Sequence, residues 1–354
     1  MANALHAPPP LAAPVELASR PLRVAVVGAG AMGRRHARVL ASRPDRFALT
    51  GVMDVDVAAA RAVAGAHGTT ALLTEADALG VAEAIVVATP MSAHAETVRR
   101  ALARGTHVLV EKPLAANPRE AAGLVALASS SAARLFVGHS ERFNPVVRAL
   151  ARLVDPSMVT AVELRRVGPR QCSQVVGASA PYAGRPAPEE GALVNLGVHD
   201  LDLAAYLTSS PLVVRSAVGE LAPSGLDERA HVLARSASGA AVLVFVDQRP
   251  ADALRRRTLK LSTPTHVWHG DLLAPSLVRT CRSTSAREAI PLDTEEPLLA
   301  QALAFASAIR GGPATEIATG LDGERALSAA ERAISQLRAR GGPVEKLSEP
   351  RSRC

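Results

Sequence analysis

Aromatic side chains are nearly missing from this chain: one tryptophan, two tyrosines and five phenylalanines among 354 residues. So few rings leave little on which bases could stack, which speaks against a single-stranded nucleic-acid binder. Cysteine is as scarce. Cys172, Cys281 and Cys354 are odd in number and far apart, with no C-x-x-C pair. They frame neither a structural zinc site nor a disulfide scaffold, and no metal site is expected. No apolar run reaches the roughly 18 residues that span a bilayer. Residues 1–20 carry several prolines and no basic region leading into an unbroken apolar segment. They read as a disordered leader and not as a signal peptide, so the cytoplasm is the expected location. Lysine is the last shortage: Lys112, Lys260 and Lys346 are the only lysines among 40 basic side chains.

What is present describes a folded protein. Hydrophobic residues make up 48% and charged ones 21%, a globular composition, and the length suits two domains. The net charge of +7 is carried by arginines that are scattered and interleaved with acids. Such charge is a solvated surface, and no nucleic-acid or membrane partner is expected from it. A positive field would also suit a phosphate-bearing substrate.

The chain is organised around Leu22 to Leu40, LRVAVVGAGAMGRRHARVL. A β-branched run, Val24–Val27, ends in Gly28, Gly30 and Gly33, spaced G-x-G-x-x-G before helix-forming residues. Gly28 permits a sharp turn, Gly30 leaves room for a pyrophosphate, and Gly33 lets helix and strand approach. Ala29, Ala31 and Met32 complete the turn, and the helix presents free N–H groups to the phosphates. Phe47–Met53 reads as the next strand. Asp54 at its end, about twenty residues past the last glycine, stands where a ribose 2′-hydroxyl acceptor belongs. Asp54 favours NAD over NADP, because a carboxylate repels a 2′-phosphate; Arg34 and Arg35 keep NADP open.

Strands and helices then alternate: a helix over Val57–His67, a strand over Ala84–Ala88, a helix over Ser92–Arg104, a strand over His107–Val110, a helix over Pro118–Ser129 and a strand over Arg134–Gly138. This predicts a doubly wound parallel sheet over 21–142. Such sheets bind ligands beyond the carboxyl ends of their strands, so Asp54, Thr89-Pro90 and Glu111-Lys112 should converge there. After Arg142 the rhythm changes. Helices are expected over Asn144–Val154 and Ala192–Leu207, with a Pro- and Gly-containing loop over Gly168–Glu190. Strands are expected over Thr160–Val167, Val213–Glu220, Ala230–Ser236, Ala240–Asp247, Thr258–Ser262 and His266–Trp268. Helices over Pro297–Arg310 and Gly323–Arg338 close the pattern. Residues 143–340 are thus an α+β domain on a mostly antiparallel, open sheet, and 341–354 a flexible tail.

With E-K-P at Glu111–Pro113 and G-x-H-D-x-D at Gly197–Asp202 added to the glycine turn, the chain resembles the Gfo/Idh/MocA family of sugar and inositol oxidoreductases. Within it, VGHSERFNPVV, ELRRVGP and EEPLLAQALAFASAI look most like the UDP-N-acetylglucosamine 3-dehydrogenases. The resemblance implies an NAD(P)-dependent enzyme that takes hydride from a secondary hydroxyl of a sugar or nucleotide sugar. Inositol or free-sugar oxidation, or a dinucleotide-binding scaffold without turnover, are the alternatives. It further implies a homodimer or homotetramer through the C-terminal sheet.

Lys112 is the expected catalytic lysine. An ammonium can shift its pKa and shuttle protons, whereas guanidinium cannot. The resemblance implies that it contacts both the nicotinamide ribose and the substrate hydroxyl, beside an often cis Lys-Pro bond. His199 lies four residues after Asn195 on an expected helix, so both share a face. A neutral imidazole there could accept the hydroxyl proton, or could be a core histidine. Many family members carry aspartate at the Asn195 position. Asparagine can orient the imidazole but adds no charge, which leaves open whether Lys112 or His199 is the principal base. Asp202 could orient His199, line the pocket, or pair with an arginine. Thr89, Pro90 and His94 match the family's cofactor-side turn, although His94 could merely start a helix. Arg165, Arg166 and Arg170 could meet a diphosphate or be solvated. His139 and Glu141 follow a strand near the nicotinamide by topology. His266 and His269 are too isolated for a metal.

Overall fold

The computed structural model describes residues 20–169, 190–249 and 254–340. Residues 1–19 of the expected leader, the tail from Gly341, Arg170, Cys172, Cys354 and most of the Gly168–Glu190 loop lie outside the described residues.

The N-terminal half is a six-stranded parallel sheet with helices between its strands. In chain order these are β1 (Leu22–Val27), α1 (Ala31–Ala41), β2 (Phe47–Met53), α2 (Val57–Ala66), β3 (Ala71–Leu72), α3 (Glu75–Val81), β4 (Ala84–Val87), α4 (Met91–Ala103), β5 (His107–Val110), α5 (Pro118–Ser129) and β6 (Leu135–Val137). The strand order is β3-β2-β1-β4-β5-β6. The order in which strands are added reverses at the β1/β4 boundary, which opens a crevice at the carboxyl ends of those two strands. Val24–Val27 and all of β4 are buried on both faces, as continuous apolar strands covered by helices should be.

Helix α3 and the two-residue β3 escaped the sequence pattern. Their apolar positions are too few to show a period, but Thr74 and Asp77 form a reciprocal capping box that starts α3.

A 3-10 turn over Ser140–Phe143 and helix α6 (Pro145–Leu153) lead into the second sheet. Its strands are β7 (Ala161–Val167), β8 (Leu212–Leu221), β9 (Asp227–Ser236), β10 (Ala241–Asp247), β11 (Arg256–Ser262), β12 (His266–Asp271), β13 (Ser276–Cys281) and β14 (Arg287–Ala289), in the order β14-β13-β12-β11-β7-β10-β9-β8. Every pairing is antiparallel except β7 with β10. The expected open, mostly antiparallel sheet is therefore present. The sequence pattern does not show its outer hairpin, β13–β14: β14 is short and exposed throughout, and in β13 only Leu277 is fully buried.

The segment expected as one helix over Ala192–Leu207 has two parts. A π-helical turn covers Leu193–Gly197, with the Val198 N–H reaching back to the Leu193 carbonyl, and α7 (Val198–Leu207) follows. Nor do the last helices stay with the second sheet. Leu298 and Phe305 of α8 (Pro297–Ile309) share a core with Leu22, Val24 and Val26, while α9 (Gly320–Arg340) packs on both α5 and β8. The 143–340 segment thus covers the first sheet as well as its own, because α8 is apolar and β1 and β4 need a layer over them.

The glycine turn is packed backbone against backbone. A Cβ on Gly33 would lie 1.8 Å from the Gly28 carbonyl oxygen, and Gly28 itself has φ +106°. Gly33→Ala is expected to lower stability by about 1–3 kcal/mol, seen as a fall in the urea midpoint at unchanged slope. An unchanged midpoint would show that helix and turn can part freely.

Candidate active site

The dinucleotide end of the site is built from backbone. Gly30 caps α1 with no side chain competing for its free N–H groups, and a Cβ there would meet nothing within 4 Å. That open space beside a helix N-terminus fits a pyrophosphate. Ala31 is exposed and Met32 half-buried at the start of the helix, while Ala29 is buried in the turn. The Asp54 carboxylate accepts from the Ala29 N–H at 2.6 Å and from the Asp56 N–H at 2.8 Å. It therefore braces the glycine turn from the end of β2, and its half-buried oxygens remain placed to accept from a ribose hydroxyl. Across the switch point, Thr89 follows β4 with its Oγ1 buried and unbonded, and Pro90 caps α4 in the open.

Two residues expected on the cofactor side, His94 and Glu111, are held by internal hydrogen bonds. His94 is buried, with Nδ1 2.8 Å from the Pro113 carbonyl and Nε2 2.9 Å from the Thr89 carbonyl. Burial pushes its pKa down. The neutral ring donates to one of those carbonyls and ties the turn after β4 to the segment after β5. Glu111 is buried against His36, with Nε2 to Oε1 at 2.7 Å. Burial alone would raise its pKa, yet His36 and Lys112 hold it below the ordinary carboxylate value. His36 was not anticipated; its position three residues after Gly33, one turn into a buried helix face, was the available signal.

Lys112 leaves the carboxyl end of β5 through a cis Lys112–Pro113 peptide and reaches the second domain. Its Nζ donates to the Asn195 carbonyl at 2.8 Å and lies 3.5 Å from Asn195 Oδ1. Asn195 lies in the π-helical turn, a feature frequent at functional sites, and its own N–H still bonds the Gly191 carbonyl at 2.9 Å. Asn195 therefore serves Lys112, and no hydrogen bond joins it to His199, as the expected shared face had implied. Burial lowers the Lys112 pKa, against which Glu190 and Glu111 pull upward.

His199 opens α7. Its Nδ1 is buried with no partner among the described residues, and its ring meets His139 edge to face, centroids 5.8 Å apart. Burial, then Lys112 and Arg166, hold its pKa well below the usual histidine value. His139, itself buried, is likewise pushed down by burial, and its Nδ1 stands 4.0 Å from Asp202.

Beneath these groups lies a buried charge lattice. Arg166 forks onto Asp200 at 2.9 and 3.0 Å and reaches Glu141 at 3.0 Å, and Arg257 meets Glu141 at 2.7 Å. Arg166 is thus no diphosphate ligand in waiting: two carboxylates already share its guanidinium in a buried place. Arg165 points to the other side of the sheet, its guanidinium 4.7 Å over the Phe245 ring. Asp202 does not line the cleft beside His199. Both its oxygens accept from Arg142, at 2.6 and 2.8 Å, so the arginine it pairs with is a buried one. His266 bonds Thr265 and His269 lies on a sheet strand, neither near these groups in the pairing pattern.

Three of these histidines, His94, His139 and His199, have folded pKa values below the ordinary 6.5. As pH falls through about 6.5, the unfolded chain takes up protons that the folded one refuses, so stability falls by up to about 1.4 kcal/mol per pH unit for each histidine. The urea midpoint should drop between about pH 7 and pH 5.5, and less steeply in His139→Phe. A midpoint level across that range would mean that these rings are not held neutral.

Comparison with known proteins agrees with this construction. Residues 22–139 match the model of the GFO/IDH/MocA oxidoreductase family with its NAD-binding Rossmann fold, and residues 155–258 match the GFO/IDH/MocA C-terminal domain. Inositol 2-dehydrogenase 2 of Paenarthrobacter aurescens is 30% identical over 338 residues, 91% of this chain and 97% of that protein. The UDP-N-acetylglucosamine 3-dehydrogenase GnnA from Acidithiobacillus ferrooxidans has a structure similar at TM-score 0.78 and 25% identity, covering 90% of this chain and 98% of that one. An inositol dehydrogenase homologue from Azotobacter vinelandii complexed with NAD+ shares the fold at TM-score 0.76 and 19% identity, over 92% and 97% of the two chains. The chain belongs to the Gfo/Idh/MocA family of NAD-binding oxidoreductases.

Proposed function

We propose that the protein is a cytoplasmic dehydrogenase that takes hydride from a secondary hydroxyl of a sugar, with a nucleotide sugar such as UDP-N-acetylglucosamine, oxidised at C3, as its leading substrate. The observation that carries this reading is the meeting of Lys112, from the end of β5, with Asn195 and His199, from the second domain, beyond the switch point of the first sheet. Bound NAD(P)+ supplies the hydride acceptor. Gly28 to Gly33 and Thr89 would hold it, and Asp54, an acceptor with no cation bonded to it among the described residues, favours NAD.

The division of labour follows from charge. His199 is neutral and a weak base, since an imidazolium would stand buried near Lys112 and Arg166. It orients the substrate hydroxyl as a hydrogen-bond partner. Burial favours the neutral amine of Lys112; in that form it would take the hydroxyl proton as hydride leaves, and the ammonium so formed would hydrogen-bond the new carbonyl oxygen. A nucleotide sugar is supported by the similarity to GnnA and by Arg257, which keeps a quarter of its side chain exposed at the start of β11. The second reading, a cyclitol such as inositol, is favoured by the neutralised Arg166 and by the inositol dehydrogenases among the relatives.

The face of the second sheet turned away from α7 carries exposed Val218, Leu233 and Leu243, an apolar stripe that supports pairing of two copies through this sheet.

Reduced-nicotinamide absorbance should rise with UDP-N-acetylglucosamine and not with myo-inositol; the reverse would establish the second reading. Lys112→Met should keep cofactor affinity and lose turnover by about a hundredfold or more, and undiminished turnover would remove Lys112 from the chemistry. Sedimentation should give a dimer or tetramer that Leu233→Arg with Leu243→Arg converts to monomer, whereas a wild-type monomer would count against the sheet contact.

A further inference from the structure

Gln248, directly after β10, is buried at 2% exposure and belongs to none of the motifs above. Its Nε2 donates to two backbone carbonyls, those of Glu190 and Asp227, each at 3.3 Å. Carbonyl oxygens only accept, so both amide protons of Gln248 are spent and its Oε1 must face the other way. There it lies 3.5 Å from Asn195 Nδ2. The Asn195 amide is thereby oriented too: its NH2 points to Gln248 and its Oδ1 to the Lys112 ammonium. Reversing Asn195 would set its oxygen against Gln248 Oε1 and its NH2 against the ammonium; reversing Gln248 would set its oxygen against two carbonyls and its NH2 against that of Asn195.

We propose that Gln248 is a positioning residue that fixes the polarity of the Asn195 side chain, so that an uncharged oxygen is held against Lys112. The same relay excludes aspartate at 195, because a carboxylate would oppose Gln248 Oε1, and Gln248 cannot turn without abandoning two buried carbonyls. Asparagine here is then a matched partner of Gln248 and no relic of lost activity. A neutral acceptor leaves the lysine readier to release its proton than a carboxylate would. The other charged or titratable groups acting on Lys112 are Glu190, Glu111, Arg166 and Arg257, with His139 and His199 close by. None of them is altered in the test below. The relay stands on hydrogen-bond direction; only its consequence for turnover rests on the dehydrogenase reading.

Three lysines make a direct measurement possible. Protein labelled with carbon-13 at lysine Cε gives three signals in NMR, and Lys112→Met identifies the one to follow during a pH titration. Gln248→Leu should lower the proton affinity of Lys112 about two- to tenfold. Asn195→Ala should do the same, and the double variant should go no further than Asn195→Ala alone. Asn195→Asp should move the midpoint up. An unmoved midpoint in Gln248→Leu, or an equal further shift when it is added to Asn195→Ala, would overturn the relay. Should Gln248→Leu fail to fold, Gln248→Glu retains volume and the acceptor toward Nδ2, and its midpoint should rise; a fall would overturn the proposal. The titration needs no substrate, so absence of turnover on every sugar would sink the dehydrogenase reading and leave this one standing.

Discussion

A lysine ammonium withdrawn from water between two domains is the constraint around which the structure is arranged. Lys112 Nζ reaches from the end of one sheet to a backbone carbonyl that belongs to the other. An ammonium so placed needs an acceptor and an opposite charge near it, and both are supplied from outside its own domain by Asn195 and Glu190. The second domain therefore completes the lysine's environment as well as covering the cleft. This explains why α8 and α9 return to pack on the first sheet: the two halves must hold one relative position for the contact to persist.

The buried ions below the site serve the same end. Arg166, Arg257, Glu141 and Asp200 balance in number, so the lattice brings no net charge into the interior. Its arginines lie closely enough to His199 to disfavour a proton there. Removing a single member of such a set leaves an uncompensated charge and costs about 3–5 kcal/mol, which makes the lattice rigid. Arg166, read from the sequence as a candidate substrate ligand, is thus part of the scaffold that disfavours a proton on His199.

Much of the architecture could be read from residue order because local rules agree with the global fold. Phe47–Met53, His107–Val110 and Pro118–Ser129 end where the pattern puts them, since apolar strands flanked by caps and prolines have few other conformations. The π-helical turn at Leu193–Gly197 could not be read this way. Its apolar spacing is that of an ordinary helix, and what widens it is tertiary: Asp227 accepts from the Leu193 N–H at 2.6 Å, and Asn195 meets Lys112. The same holds for His36 and Glu111, which meet across 75 positions, and for His94, whose partners lie 19 and 5 positions away in the chain.

By itself the sequence determined the two sheets, the glycine turn with its acid, and the identity of the lysine and histidine, because each rests on short-range pattern or on a contiguous motif. Only the tertiary structure decided which polar groups face one another. It turned Arg166 and Asp202 into buried ion pairs, gave Asn195 to Lys112 instead of His199, and brought in Gln248. The physical reason is that a hydrogen bond or ion pair is specified by position in space and by which group donates, and neither is encoded in the spacing of residues along the chain.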